Sequence, residues 1–297
     1  AKMIESGEIT PKEVVFDVPT TMAGYSPENY NQKYAGIIPA DEALSKSLNV
    51  PFVRMLRNFG IQKFYSDLRK IGMSTLDQPA THYGLSLILG GCEVSLIDLV
   101  SMYAKLGMSV SQYPEYKKNV NSNLVCFGEP QEEGTQPIFS PSAAWATLKA
   151  MEKVVRPNKE KNWEEFSTSQ RIAWKTGTSF GFRDAWAVGL NKNYVVGVWV
   201  GNADGEGRPG IIGVEAAAPI LFDVFDYLPK SEWFVLPLDE LMEVSVCQKS
   251  GMRATKNCEK TKKEKLPRES ENTKLCSFHR IVFLDQTGKS RVSSKCY

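Results

Sequence analysis

The chain has 297 residues, of which 42% are hydrophobic and 24% are charged, and its formal net charge is +2. This composition is typical of a globular protein with one large domain and one small one, and it excludes a fibrous or disordered chain. No apolar run approaches the ~20 residues that a membrane-spanning helix needs. The basic stretch 249–268 is interrupted by Glu259 and Glu264 and holds no aromatic residue, so nucleic-acid binding is not predicted.

The first part of the chain is predicted to be mainly helical. Residues 39–44 have the acidic first turn that is typical of a helix start. Apolar residues then recur at helical spacing up to Gly60 and again up to Gly72, which predicts two consecutive helices. A further amphipathic helix is predicted over residues 94–107, ending at Gly107, and Pro141 stands at the tolerated first position of another.

The strand signal is concentrated between residues 171 and 201. The predicted strands are 172–178, 185–190 and 194–200, and the short turn between the last two favours an antiparallel hairpin. A helix over 214–227 is predicted to follow. The order of helices, antiparallel strands and closing helix predicts an α/β fold of the α+β type, an antiparallel sheet flanked by helices.

The composition changes near residue 230, where the chain becomes richer in charge and cysteine. We therefore predict a large domain over residues 1–229 and a small cysteine-rich C-terminal segment over 230–297.

Four cysteines crowd this C-terminal segment: Cys247, Cys258, Cys276 and Cys296. Such crowding suggests disulfides, which require an oxidising compartment. The alternative is a zinc site made by the first three cysteines and His279, with Cys276 and His279 at Cys-x2-His spacing. Because the spacing between Cys247 and Cys258 lacks a tight knuckle and the zinc set leaves Cys296 without a role, we favour disulfides and predict no metal and no cofactor.

Residues 175–178, Lys-Thr-Gly-Thr, end the first predicted strand of the sheet. Strand alternation places the hydroxyls of Thr176 and Thr178 on one face, and Gly177 lets a ligand approach the backbone closely. With the cation of Lys175, this set suits binding of a carboxylate beside an acyl group under attack. The competing interpretation is a solvated lysine on an edge strand.

Two other features restrict the chemistry. The chain has only two histidines and no Gly-x-Ser-x-Gly elbow, so a Ser-His-Asp hydrolase is disfavoured and a lysine is the expected base. Residues 205–210 match Gly-x-Gly-x-x-Gly, but they follow a predicted antiparallel hairpin, which favours a glycine-rich loop over a dinucleotide site. Ser47 and Asn49 lie in a short polar turn between two predicted helices, where a helix cap is the alternative interpretation.

The order of these motifs along the chain resembles that of a known protein family. Ser-x-Asn at 47–49, Gly-Leu-Ser-Leu-x-Leu-Gly-Gly at 84–91 and Lys-Thr-Gly-Thr at 175–178, followed by Arg-Asp-Ala-Trp, resemble the transpeptidase domain of class A penicillin-binding proteins over roughly residues 1–229. The remainder resembles the C-terminal extension of the 1C type. The resemblance implies a penicillin-binding transpeptidase or serine β-lactamase-like fold.

The resemblance also implies roles for individual residues. Ser47 would shuttle protons, Asn49 would hold the substrate amide, and Lys175 would supply a positive field. Thr176 and Thr178 would donate hydroxyl hydrogen bonds, and Gly177 would keep the strand clear for substrate. The backbone N–H of Thr178 would form half of an oxyanion hole. The implied ligands are peptidoglycan stem peptides and β-lactam antibiotics.

One departure from the family pattern affects the expected activity. The family's nucleophile lies in a Ser-x-x-Lys motif, and none occurs in these 297 residues. Residues 1–7 resemble the end of a helix, so we expect a fragment of a longer, extracytoplasmic protein whose nucleophile, glycosyltransferase domain and inner-membrane anchor lie upstream. We expect the fragment alone to be inactive. The C-terminal segment is a candidate surface for an envelope-protein partner, and a non-catalytic cell-wall scaffold is the alternative function.

Overall fold

The computed structural model describes residues 1–22, 24–113, 138–157 and 170–293, together with the backbone of 125–126 and 129–130. The α-helices of these residues are α1 (Lys2–Glu5), α2 (Ala40–Ser45), α3 (Asn49–Phe59), α4 (Ile61–Ile71), α5 (Ala80–Tyr83), α6 (Leu96–Ser111), α7 (Pro141–Glu152) and α8 (Ala218–Tyr227). The strands are β1 (Val14–Asp17), β2 (Gly36–Pro39), β3 (Val125–Cys126), β4 (Glu129–Pro130), β5 (Ala173–Thr178), β6 (Asp184–Leu190), β7 (Val195–Gly201), β8 (Leu241–Cys247), β9 (Thr261–Pro267), β10 (Phe283–Leu284) and β11 (Arg291–Val292). Within these ranges, no helix combines the length and hydropathy that crossing a membrane requires.

The central element is a three-stranded antiparallel sheet in the order β5-β6-β7. Its strands agree with the three predicted from the sequence to within one residue at each end. β5 pairs with β6 from Ala173 opposite Leu190 to Thr178 opposite Ala185. Among the described strands β5 therefore lies at an edge of the sheet, with one side of its backbone open.

Helices cover both faces of this sheet, as the predicted fold class requires. Ala173 packs in a core with residues of α6 and α7, and the next residue, Trp174, packs on the opposite face against α8. The Trp174 ring meets Phe222 edge to face at 5.0 Å between centroids. Strand alternation thus divides β5 between two cores, and it directs Lys175 to the α7 side.

The helices around the sheet confirm most of the predicted boundaries, with one correction. The helix predicted to end at Gly107 continues to Ser111. A Cβ at position 107 would lie 3.0 Å from Leu190 Cδ1 and 3.5 Å from Phe234, so this glycine permits close packing inside the helix instead of ending it. The structure also contains an antiparallel pair, β1 with β2, in a part predicted to be mainly helical.

The C-terminal segment contacts the first residues of the chain. Its main element is the antiparallel pair of β8 and β9, with Leu241 opposite Pro267 and Cys247 opposite Thr261. The turn after β8 lies against β1, because Val14 N donates to Ser250 O at 2.9 Å and Thr10 Oγ1 donates to Gly251 O at 2.8 Å.

Candidate functional site

The site is built around Lys175 on the edge strand β5. Its ammonium group is hydrogen-bonded to Ser47 Oγ, and it donates to Thr176 O at 3.0 Å. The two residues that the sequence singled out separately are therefore side-chain neighbours, although 128 positions separate them. This contact brings a cation and a hydroxyl together beside the open edge of the sheet.

The environment of Lys175 changes its protonation. Burial lowers the pKa of its ammonium group from 10.5 to about 8. Withdrawal from water disfavours the charged form, so this lysine exchanges a proton much closer to neutral pH than an exposed lysine does. A group with such a pKa can hold a positive charge for a carboxylate and can also take part in proton transfer.

Ser47 stands in an unusual backbone conformation. After α2, Ser47 N donates to Leu44 O and Leu48 N donates to Ala43 O, both at 3.1 Å. These two bonds define a Schellman turn, whose left-handed position is usually filled by glycine. Ser47 occupies it with φ +53°. A strained serine at this position is consistent with a functional demand for its hydroxyl.

The helix that precedes Ser47 is held by a buried carboxylate. Asp41 in α2 accepts salt bridges from Lys12 at 2.7 Å and Lys153 at 2.6 Å. Burial alone would raise the pKa of the Asp41 carboxyl, but the two ammonium groups hold that pKa below its ordinary value. The two bridges tie α2 to the loop before β1 and to the end of α7.

Asn49 is the first residue of α3, and a distant loop fixes its position. Its Nδ2 donates to Glu28 O at 2.8 Å. Asn29 Oδ1 accepts from the backbone N of Asn49 at 2.8 Å and of Val50 at 3.2 Å, which caps the helix. Asn29 in turn donates to the buried Asp17 Oδ1 at 2.8 Å.

Sequence reasoning missed Asp17, Asn29 and Gly213. Asn29 lies in a polar loop with no local signal of a helix-capping role. Gly213 donates its N–H to Thr178 Oγ1 at 3.0 Å, and a Cβ there would lie 2.5 Å from Gly177 O. That position therefore requires glycine, but only the fold reveals the contact. As an acceptor, the Thr178 hydroxyl still has its own proton to donate.

The backbone of β5 presents hydrogen-bond donors at its open edge. Ser179 N donates to Asp184 O at 2.9 Å, so the N–H of Ser179 points toward β6. Since successive N–H groups of a strand point to opposite sides, that of Thr178 points away from β6. Thr176 O, which accepts from Lys175 Nζ, points to the same open edge of β5.

The cysteines of the C-terminal segment are not arranged as expected from the sequence. Cys247, Cys258 and Cys276 are free thiols, so none of the favoured disulfides joins them, and Cys296 lies outside the described residues. Their sulfur atoms and a ring nitrogen of His279 all lie within 4.8 Å of one another. The difference arises because segments that are distant in the chain bring the three thiols together at one point, and no two of them are bonded as a pair.

Comparisons with known proteins show which family the chain belongs to. The family described as penicillin binding protein transpeptidase domain matches residues 1–220. Penicillin-binding protein 1C of Escherichia coli is 33% identical over 226 residues, which cover 76% of this chain and 28% of that protein. Penicillin-binding protein 4 of Bacillus subtilis is 32% identical over 181 residues, covering 60% and 28%. The chain therefore spans less than a third of the length of these relatives.

Solved structures share the fold. Penicillin-binding protein 1A of Haemophilus influenzae gives a TM-score of 0.66 at 17% identity, covering 92% of this chain and 47% of that one. PonA1 of Mycobacterium tuberculosis in complex with penicillin V gives 0.58 at 19% identity, covering 78% and 68%. With the family match over residues 1–220, these findings establish that the chain belongs to the transpeptidase-domain family of the class A penicillin-binding proteins.

Proposed function

We propose that this chain supplies the substrate-holding wall of a serine D,D-transpeptidase that cross-links peptidoglycan stem peptides and is acylated by β-lactams. The observation that carries the proposal is the contact between Lys175 and Ser47 at the open edge of β5. A cation and a hydroxyl at such an edge suit a peptide that adds to the sheet by backbone hydrogen bonds and ends in a carboxylate.

In the proposed reaction, a serine hydroxyl attacks the penultimate D-Ala carbonyl, and the terminal D-Ala leaves with a proton on its amine. An amine of a neighbouring stem peptide then attacks the ester, forms the cross-link and releases the serine. The proposed proton carrier to the leaving amine is Ser47, and the substrate amide binds Asn49. Lys175 assists Ser47 through its positive charge and attracts the substrate carboxylate.

The roles proposed for the β5 residues follow from the alternation of side chains along the strand. Thr176 and Thr178 donate hydroxyl hydrogen bonds to the carboxylate, and Gly177 leaves room for the substrate backbone. The N–H of Thr178 stabilises the oxyanion together with the N–H of the nucleophile, and one such donor is typically worth ~3 kcal/mol in the transition state.

The nucleophile itself is proposed to lie in a Ser-x-x-Lys motif outside these 297 residues, because none of them forms that motif. The active protein is then a longer extracytoplasmic chain with a membrane anchor and a glycosyltransferase domain. This chain on its own is expected not to form an acyl-enzyme.

Covalent labelling with fluorescent penicillin tests the proposal. We expect no labelling of this chain alone and labelling of the longer chain that includes the motif. In the longer chain, Lys175→Ala should abolish or severely slow acylation, whereas Lys230→Ala, at an exposed position, should leave it unchanged. Labelling of this chain alone would show that the nucleophile has been misplaced.

A non-catalytic scaffold of the cell wall is the second candidate function, and the missing Ser-x-x-Lys motif favours it. A scaffold would bind peptidoglycan fragments without acylation in any longer form of the chain. If the longer chain contains no Ser-x-x-Lys motif and does not label with penicillin, the scaffold replaces the enzyme.

A further inference from the structure

The C-terminal segment holds a cluster of donors that transpeptidation does not use. Its members are Cys247, Cys258, Cys276 and His279. Cys247 is fully buried and Cys276 nearly so, and both pack in a small core with Met252. The other core of this segment consists mainly of Val244, Val246 and Leu266. So small an apolar interior is usually supplemented by a cross-link or a metal ion.

We propose that these four side chains bind one tetrahedral zinc ion. Tetrahedral coordination with Zn–S bonds of about 2.3 Å and Zn–N bonds of about 2.0 Å places sulfur and nitrogen about 3.5 Å apart. His279 Nδ1 lies 3.5 Å from Cys247 Sγ and 3.4 Å from Cys276 Sγ. A ring nitrogen at hydrogen-bond range of two thiols at once is the arrangement that a shared metal ion explains best.

Backbone hydrogen bonds hold each of the three cysteines in place. Cys247 ends β8, and Gly251, at φ +65°, closes the following turn by donating its N–H to Cys247 O at 2.9 Å. Cys258 N donates to Thr255 O at 3.0 Å within a turn, whereas Cys276 N donates at 2.7 Å to Arg253 O in a bridge between distant segments. These bonds fix the backbone that carries the thiols before any metal binds.

Donors around the cluster stabilise thiolates. Thr255 N lies 3.3 Å from Cys258 Sγ, and the hydroxyl of Ser250 donates to Cys276 Sγ at 3.2 Å. Such hydrogen bonds to ligand sulfur are the usual support of a zinc–thiolate site. A disulfide between any two of these three cysteines would leave His279 without a function in this interior, and the third thiol would then need Cys296, outside the described residues, as its partner.

The proposed ion would also fasten the segment to the transpeptidase region. The turn that follows Cys247 supplies the acceptors for Val14 N and Thr10 Oγ1. A Cβ at Gly251 would lie 2.0 Å from Lys12 O, so the two parts are in tight backbone contact. Holding this turn in place therefore supports β1, whose partner β2 leads directly into α2 and Ser47.

The primary test is the metal content of the whole chain, purified without reductant or chelator. We expect about one zinc per chain, retained in Cys92→Ser, whose cysteine lies outside the cluster, and lost in Cys276→Ser. His279→Gln keeps all three thiols, so it tests the ligand set if Cys276→Ser fails to fold. Its zinc affinity should fall about 100-fold or more.

Cobalt substitution and peptide mapping complete the experiment. Co²⁺ added to the zinc-free chain should give cobalt–thiolate charge-transfer bands and the d–d spectrum of a tetrahedral ion, which His279→Gln should shift. Zinc removal should speed hydrogen exchange at Val14 N–H. Non-reducing peptide maps showing disulfides among these cysteines, with no bound zinc, would overturn the proposal. That result would not contradict the proposed transpeptidase function, because penicillin labelling tests that function separately.

Discussion

The ends of α4 and α2 form the same hydrogen-bonded turn, but only the α4 end has the residue that such a turn favours. At the end of α4, Gly72 N donates to Arg69 O and Met73 N donates to Leu68 O, both at 3.1 Å, with Gly72 at φ +114°. The end of α2 makes the equivalent two bonds with Ser47 in the left-handed position. Replacing glycine there with serine gives up stability, on the order of 1 kcal/mol.

Each turn also meets a lysine, and the two lysines serve different purposes. Lys105 donates to Ile71 O at 2.6 Å, so its charge caps the carbonyl end of α4, where the helix dipole favours a cation. Lys175 contacts the Ser47 hydroxyl, and its burial disfavours the charge that it carries. The α4 end is built for stability, whereas the α2 end combines a strained backbone with a costly cation, as expected of a reactive site.

The largest expected effect comes from removing the cation at the α2 end. In a longer chain with the Ser-x-x-Lys motif, Lys175→Met should reduce the rate of acylation by penicillin about 100-fold or more, because the charge beside Ser47 is lost. The matched change at the α4 end, Lys105→Met, should leave the rate within about twofold. Stopped-flow acylation measures both. Equal losses in the two variants would mean that the two lysines have the same structural role.

The same substitution should raise stability in a pH-dependent way. The pKa of Lys175 is about 8 in the folded chain and near 10.5 when unfolded, so the unfolded chain binds the extra proton between these values. The free energy of unfolding of the unmodified chain therefore rises from pH 8 toward pH 10.5. The full cost of burying the charged lysine applies below pH 8. Lys175→Met should gain about 2 kcal/mol at pH 7, after allowing for partial exposure, and little near pH 10.5.

Urea unfolding at pH 7 and pH 10 measures this difference. Lys230→Met, at an exposed position, is the control and should show no pH-dependent change relative to the unmodified chain. A gain for Lys175→Met that is equal at both pH values would contradict the depressed pKa.

Placing glycine at the end of α2 and serine at the end of α4, in two separate variants, should change the free energy of unfolding in opposite directions. Ser47→Gly relieves the left-handed serine and should stabilise the chain by about 1 kcal/mol, while acylation falls because the hydroxyl is lost. Gly72→Ser should destabilise it by about 1–2 kcal/mol, since a Cβ there would also lie 2.9 Å from Lys105 Nζ. Urea midpoints report both. A destabilised Ser47→Gly would show that the turn at α2 is not strained.

Much of the site could be predicted because its signals are local. The strand signal over residues 172–178 predicts β5, Lys175 begins the polar end of that strand, and Ser47 lies in a polar turn between two predicted helices. The contacts that position them could not be predicted, because their partners are distant in the chain. Asn29 caps α3 from a loop 20 residues earlier, and nothing in that loop indicates the contact.

One error and one untested prediction have the same physical origin. Gly107 predicts a helix end, but the absence of a side chain there accommodates Leu190 from another element. The number and spacing of the cysteines favour disulfides, which stay a prediction. The convergence of three thiols with His279 depends on contacts between distant segments, which spacing along the chain does not encode. Local sequence patterns predict individual helices and strands, whereas the close packing between them is seen only in the structure.

The smallest expected effect concerns the lysine at the α4 end. Lys105→Met removes the charge that caps Ile71 O, and it should lower the free energy of unfolding by about 0.5–1 kcal/mol. Lys105→Arg keeps the charge and should recover most of that loss. Because helix-dipole interactions between partly exposed groups are screened, the difference between the two variants should shrink at high salt. A salt-independent difference would assign the loss to packing of the lysine stem against α4, and the contrast between the two helix ends would then rest on Ser47 and Lys175 alone.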